Sequence, residues 1–104
     1  MTRELRIAAE RNILRGLCCA ARGSAVRNKI IRLLRDYSFL EPEHHAVFQA
    51  IRAFSPRAAI SIGQLTVKLN NLGFPDIELE NYFASAGVSD NALLAEARRL
   101  LETP

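Results

Sequence analysis

Phe39-Leu40-Glu41-Pro42-Glu43-His44-His45-Ala46-Val47-Phe48-Gln49-Ala50-Ile51 is the stretch from which the rest of the chain can be placed. Pro42 fixes φ near the helical value and has no N–H, so it suits the first turn of a helix with Glu41 just ahead of it. From there Val47, Phe48, Ile51 and Phe54 recur at helical spacing and make one apolar stripe. His44 falls on that stripe, while His45 points about 100° away, toward the polar side. Phe39 and Leu40, ahead of the cap, can fold back on the stripe as a hydrophobic staple does. The reading is a helix with a fixed entrance, a buried face and one buried imidazole. A ring nitrogen of that imidazole is expected to bond a backbone carbonyl or a capping group.

Helical periodicity continues on both sides, and no stretch alternates with period two over strand length. A first helix is expected from Thr2 or Ala8 to Cys19 or Ala21, with Ile7, Leu14, Leu17 and Cys18 on one side and Ile13 at its edge. Glu10 sits inside that apolar arc, which assigns it to structure, satisfied by the helix N-terminus or by a nearby arginine. Gly23-Ser24 breaks the pattern, and Ser24 can cap a second helix from Ala25 to Tyr37. Val26, Ile30, Leu33, Leu34 and Tyr37 form its inner face, with Asn28, Arg32 and Arg35 opposite.

Downstream, Ser55-Pro56 ends the third helix, because the residue before proline avoids the helical region. Ser61-Ile62-Gly63-Gln64 reads as a capping box opening a fourth helix, whose stripe is Ile62, Leu65, Leu69 and Leu72. Asn70-Asn71-Leu72-Gly73 supplies its stop. A fifth helix buries Leu79, Tyr82, Phe83 and Ala86, turns Glu78 and Glu80 outward and ends at Gly87. Ser89 caps a terminal helix over about 90–102, with Leu93, Leu94, Ala97, Leu100 and Leu101 facing one way. So long a stripe must pack on helix one or on another molecule. The expected fold is a single all-α domain over 1–104, a compact orthogonal bundle of about six short helices.

Composition narrows the function classes. At 104 residues, 49% of them hydrophobic, the chain can bury roughly 65% of its unfolded surface without staples. The net charge of +3 conceals an asymmetry: residues 1–57 hold eleven basic and five acidic side chains, and residues 58–104 hold three and six. The halves therefore carry +6 and −3, which suits meeting a charged partner, or a second copy head to tail, better than coating DNA. Cys18 and Cys19 are adjacent, diverge on a helix and read as small apolar residues in a reducing compartment. No run approaches the ~18 apolar residues of a membrane span, and Arg3, Glu4 and Arg6 do not open a signal peptide. Cytoplasm is the expected location, with no membrane contact.

Chemistry-bearing motifs are missing from the sequence. There is no Gly-rich phosphate loop, dinucleotide fingerprint or nucleophile elbow. His44 and His45 diverge, and no Asp, Glu or Cys follows His44 at helical spacing to complete a ligand set. No catalytic residue, cofactor or metal is expected, and the chain is not read as an enzyme. Base readout needs several Arg, Asn or Gln side chains on one face, and helix four offers only Gln64, Lys68 and Asn71.

The central stretch resembles the signature of the N-terminal domain of DnaB-type replicative DNA helicases, through Phe39, Leu40, Pro42, His44, Val47, Phe48, Ala50 and Ile51. Ala9-Glu10-Arg11-Asn12-Ile13-Leu14-Arg15-Gly16-Leu17 is similar to that family's opening helix, and Ile60-Ser61-Ile62-Gly63-Gln64-Leu65 stands where the family has an Ile-Asp-apolar segment. The likeness covers about 8–83. It implies a fold related to the helicase-binding C-terminal domain of primase, and a non-catalytic domain that pairs with copies of itself and contacts primase. The family's motor, with its phosphate loop, is not in this chain, so unwinding is not implied. The link Phe54–Ala59 is shorter than the family's and lacks its Gly-Glu-Pro-like turn, and helix six stands where the family continues into a helical hairpin.

The function expected is therefore a protein–protein interaction and oligomerisation module of the DNA replication machinery. Its partners would be further copies and helicase- or primase-type proteins rather than nucleic acid. The candidate interaction face is Asn28, Arg32 and Arg35, with Leu93 and Leu100. The alternative is a small DNA-binding or regulatory protein using the basic face of helix two, and an enzyme with an unrecognised site ranks last.

Overall fold

Six helices and no strand make up the residues described by this computed structural model, 2–20, 24–55, 57–84 and 89–102. They are α1 (Arg3–Cys18), α2 (Ala25–Leu33), α3 (Pro42–Arg52), α4 (Ile62–Asn71), α5 (Glu80–Phe83) and α6 (Asp90–Glu102). Short polar side chains open four of them. Thr2, Ser24, Ser61 and Ser89 each accept a hydrogen bond from the backbone N–H three residues on, at 3.1–3.2 Å. α3 starts differently, with Glu41 in extended backbone and Pro42 in the first turn.

α3 is the centre of the core. His44, Ala46, Val47, Phe48, Ala50 and Ile51 are all buried, so more than the expected stripe is covered. Phe39 folds back as expected, its ring 5.1 Å from Phe48 and edge-on to Tyr37 at 4.9 Å. α1 packs on α3, α5 and α6, while α2 packs on α6 and α4 on α3. The result is a compact all-helical body with a radius of gyration of 12.7 Å, against about 13 Å for a globular chain of this length.

Gly16 marks a close approach of α1 to α6. A Cβ there would stand 2.6 Å from both terminal carbons of Leu93. The long stripe of α6 is thus spent inside the chain, on α1 and α2: Leu93, Ala97 and Leu100 are buried, while Leu101 stays 44% exposed. α4 ends in a Schellman turn. Gly73 takes φ +90°, with Phe74 N–H bonded to Leu69 C=O at 2.9 Å and Gly73 N–H to Asn70 C=O at 3.1 Å.

Three expectations need correction. α2 stops at Leu33, and Leu34 to Asp36 form a turn that swings Tyr37 toward α1. In α4, Leu65 and Leu69 are buried, but Ile62 and Leu72 stay 41% and 50% exposed, since they lie to either side of the buried pair. α5 is a single turn that buries Leu79 at its cap and Tyr82, with Phe83 half-buried. Ala21, Gly23, Pro56, Ala86 and Gly87, which figure in the expected helix boundaries, lie outside the described residues.

Candidate functional site

Among the described residues the buried acidic and basic side chains are Glu10, Arg27 and His44. Glu10 is fully enclosed where α1 crosses the entrance to α3. Its Oε2 accepts from the Tyr37 hydroxyl at 2.6 Å and the Leu40 N–H at 2.9 Å, and its Oε1 lies 2.9 Å from His44 Nδ1. An ionised carboxylate can only accept, so Nδ1 carries the hydrogen. Burial pushes the Glu10 carboxyl up, yet the hydrogen bonds from His44, Tyr37 and Leu40 N–H, with the charge of His44, outweigh it and hold the group below its ordinary 4.5. Arg6 Nε reaches the same tyrosine oxygen at 2.8 Å, with its guanidinium 5.1 Å from the ring centre.

This network changes the reading of two residues. The partner of His44 is neither a backbone carbonyl nor a cap but a carboxylate 34 residues upstream. Glu10 in turn is satisfied by His44, Tyr37 and Leu40 rather than by its own helix end. His45 is exposed, as helical geometry requires. Beside the network, Tyr82 donates to Glu43 Oε2 at 2.5 Å, and Arg15 Nε donates to the Asn81 carbonyl at 2.9 Å. Among the described residues no three His, Cys, Asp or Glu side chains converge as metal ligands would.

The second feature is a cleft of about 250 Å³ between α2 and α3, lined by Arg27, Asn28, Ile31, Arg32, Ile51, Arg52 and Phe54. Its floor is apolar. None of the described lining residues is acidic, and four of them bear N–H donors. Arg27, 2% exposed, belongs to the wall: its Nη1 donates to Ala58 C=O at 2.6 Å and its Nη2 to Ser55 C=O at 3.2 Å. It therefore clamps the link between α3 and α4. Arg32 and Arg52 are exposed, and the Arg52 guanidinium lies 5.9 Å from the Phe48 ring centre.

Of the candidate interaction face, Asn28 and Arg32 line this cleft. Arg35 lies outside its lining, exposed, 3.9 Å from Asp36. Leu93 and Leu100 are 5% and 1% exposed, so α1 and α2 take them into the core and they present no surface. The signature residues Val47, Phe48, Ala50 and Ile51 are core, Pro42 starts the helix and Phe39 packs on Phe48. Gln64, Lys68 and Asn71 line a separate hollow of about 440 Å³ beside Phe54, with the Lys68 ammonium 5.1 Å from that ring's centre.

Sequence reasoning missed Arg27, Ile31 and Arg52 as cleft residues. A signal existed for Arg27, which precedes Ile30, Ile31 and Leu34 at helical spacing and so sits on the inward arc. No protein-family model matches the chain, and no curated protein or solved structure matches it either. No helix among the described residues is long and apolar enough to cross a membrane.

Proposed function

We propose that this chain is a non-catalytic protein-interaction module, of the kind that DnaB-type replicative helicases carry ahead of their motor, and that it holds an acidic partner in the cleft between α2 and α3. The observation that supports this is the make-up of the cleft, where Arg27, Asn28, Arg32 and Arg52 surround Ile31, Ile51 and Phe54 without a carboxylate among the described lining residues. An acidic segment with an interspersed apolar side chain answers both parts of that surface. A nucleic-acid backbone would use the guanidinium groups and leave the apolar floor unused. Glu10 and His44 bond each other inside the core, which suits holding the fold more than meeting a substrate.

The test is a polarisation titration with a labelled peptide of alternating Glu and Leu, a Gln-for-Glu control peptide and a labelled DNA duplex. The acidic peptide should bind, the control should not, and Arg32→Glu with Arg52→Glu should abolish binding. The replication setting is tested apart, by co-sedimentation with a replicative helicase ring or the helicase-binding domain of primase. The exposed Lys29 and Arg32 on α2, with exposed Arg35 in the turn that follows, favour a second reading, a small DNA-binding or regulatory protein. Tighter binding of duplex than of peptide, falling steeply with salt, would move the assignment there.

A further inference from the structure

We infer that the acidic partner of the α2–α3 cleft is a second copy of this chain, offering the acidic link between α4 and α5. This rests on the proposed reading of the cleft and names its occupant. Residues 69–97 contain five carboxylates, Asp76, Glu78, Glu80, Asp90 and Glu96, and no lysine or arginine. Asp76, Glu78 and Glu80 alternate along the link and the start of α5, and all three are exposed. Among the described residues none of the three makes an ion pair, and neither Arg32 nor Arg52 does. Leu72, 50% exposed at the end of α4, adds an apolar side chain shortly before the first carboxylate.

The acidic link is not part of the cleft lining, so a molecule does not fill its own cleft with it. Both surfaces remain open on every copy, and their charges are opposite. The chain therefore carries a complementary pair of surfaces at different places, which defines a head-to-tail contact rather than a two-fold one. Such a contact repeats: each added copy presents a fresh cleft at one end and a fresh acidic link at the other, so growth continues unless a ring closes. Attraction of this kind is screened, since the Debye length shrinks from about 10 Å at 0.1 M salt to about 3 Å at 1 M.

Two variants test the pairing. Arg32→Glu with Arg52→Glu removes the cleft and keeps the acidic link. Asp76→Lys with Glu78→Lys and Glu80→Lys removes the link and keeps the cleft. All five positions are exposed, so melting curves should match the wild type; Arg32→Gln with Arg52→Gln serves if the charge reversal alone unfolds the chain. By light scattering, the wild-type mass should rise past that of two chains with concentration at low salt and return to one chain near 1 M NaCl. Each variant alone should stay monomeric. Neutralised partners, Arg32→Gln with Arg52→Gln mixed with Asp76→Asn, Glu78→Gln and Glu80→Gln, should form a one-to-one pair and stop there, because one charged surface remains on each.

A wild-type chain that stays monomeric at low salt overturns the inference, as does association that both variants retain, or a mixture that fails to pair. The Glu–Leu peptide separates this failure from the other. If the peptide still binds the cleft, the second-copy partner is lost and the reading of the cleft survives. If it does not, both fall together.

Discussion

Replacing Glu10 by alanine should be the most damaging single polar change in this protein. The substitution removes the acceptor of the Tyr37 hydroxyl, the Leu40 N–H and His44 Nδ1 in one step. Each hydrogen bond to a charged group is worth about 1.5–3 kcal/mol. Gains of that kind are partly offset by the desolvation already spent on Glu10, so the three do not simply add. A buried donor left unsatisfied costs about 1–3 kcal/mol, so the loss of the acceptor shared by all three is expected to cost at least about 3 kcal/mol. Against a total stability of about 5–15 kcal/mol the loss is severe. It corresponds to a fall in Tm of at least about 12 °C for a domain near this size.

Glu10→Gln is the informative control. The amide oxygen can still accept from Tyr37 and Leu40, while its NH₂ faces His44, which must give up the hydrogen on Nδ1. A smaller loss, about 1–2 kcal/mol, is expected. Acidification supplies a second readout. Because the folded carboxyl lies below its ordinary 4.5, its contribution is complete above pH 4.5 and is lost as pH falls through the folded value. Urea melts followed by far-UV circular dichroism, from neutral pH down to about pH 3, should show that extra acid slope in the wild type and its absence in Glu10→Gln. A Glu10→Ala protein melting within a few degrees of wild type would refute the assignment of this network as the main polar tie between α1 and α3.

Two further outcomes follow from packing and burial. Gly16→Ala gains about 1 kcal/mol of helix propensity, yet its new methyl meets Leu93 at 2.6 Å, so a net loss of up to about 2 kcal/mol is expected. Combining it with Leu93→Ala should cost less than the two separately, and strict additivity in thermal melts would contradict the close approach. At alkaline pH, burial followed by the neighbouring Cys19 pushes the Cys18 thiol from 9.0 up to about 12, and burial followed by the Glu10 hydrogen bond pushes the Tyr37 hydroxyl from 10.0 up to about 12. Both folded values are raised, so the stability they confer is intact below pH 9 and drains away between pH 9 and 12. Urea midpoints should fall over that window, and iodoacetamide should label exposed Cys19 well before Cys18 in the native protein. Equal labelling rates would count against the burial.

How far the chain can be read before folding depends on whether a signal is local. Ser24, Ser61 and Ser89 announce helix starts because a hydroxyl three residues ahead of an N–H is a short-range device, and Gly73 announces a stop for the same reason. Helical spacing also gave the arc on which Glu10, His44, Leu93 and Leu100 lie. It could not say which arc faces which. The Glu10–His44 contact joins residues 34 apart, and nothing in the spacing of either helix specifies the other. For the same reason Leu93 and Leu100 looked equally fit for a neighbouring molecule or for α1. Ile62 and Leu72 depart in the opposite sense, exposed although they share the spacing of the buried pair, since the width of the cover over α4 is set by its neighbours. The cleft was half legible: Asn28 and Arg32 stand on one face of α2, but Arg52 joins them only through the packing of α3.

The clamp made by Arg27 has a consequence for how such a surface could diversify. Its planar fork holds two carbonyls on one short link, a task that lysine's single ammonium cannot duplicate. Arg32 and Arg52 bear no comparable structural duty and can be exchanged with little harm to folding. The groove is thus half scaffold and half lock. Mutation can recut the teeth that choose a companion while the barrel holding them keeps its shape.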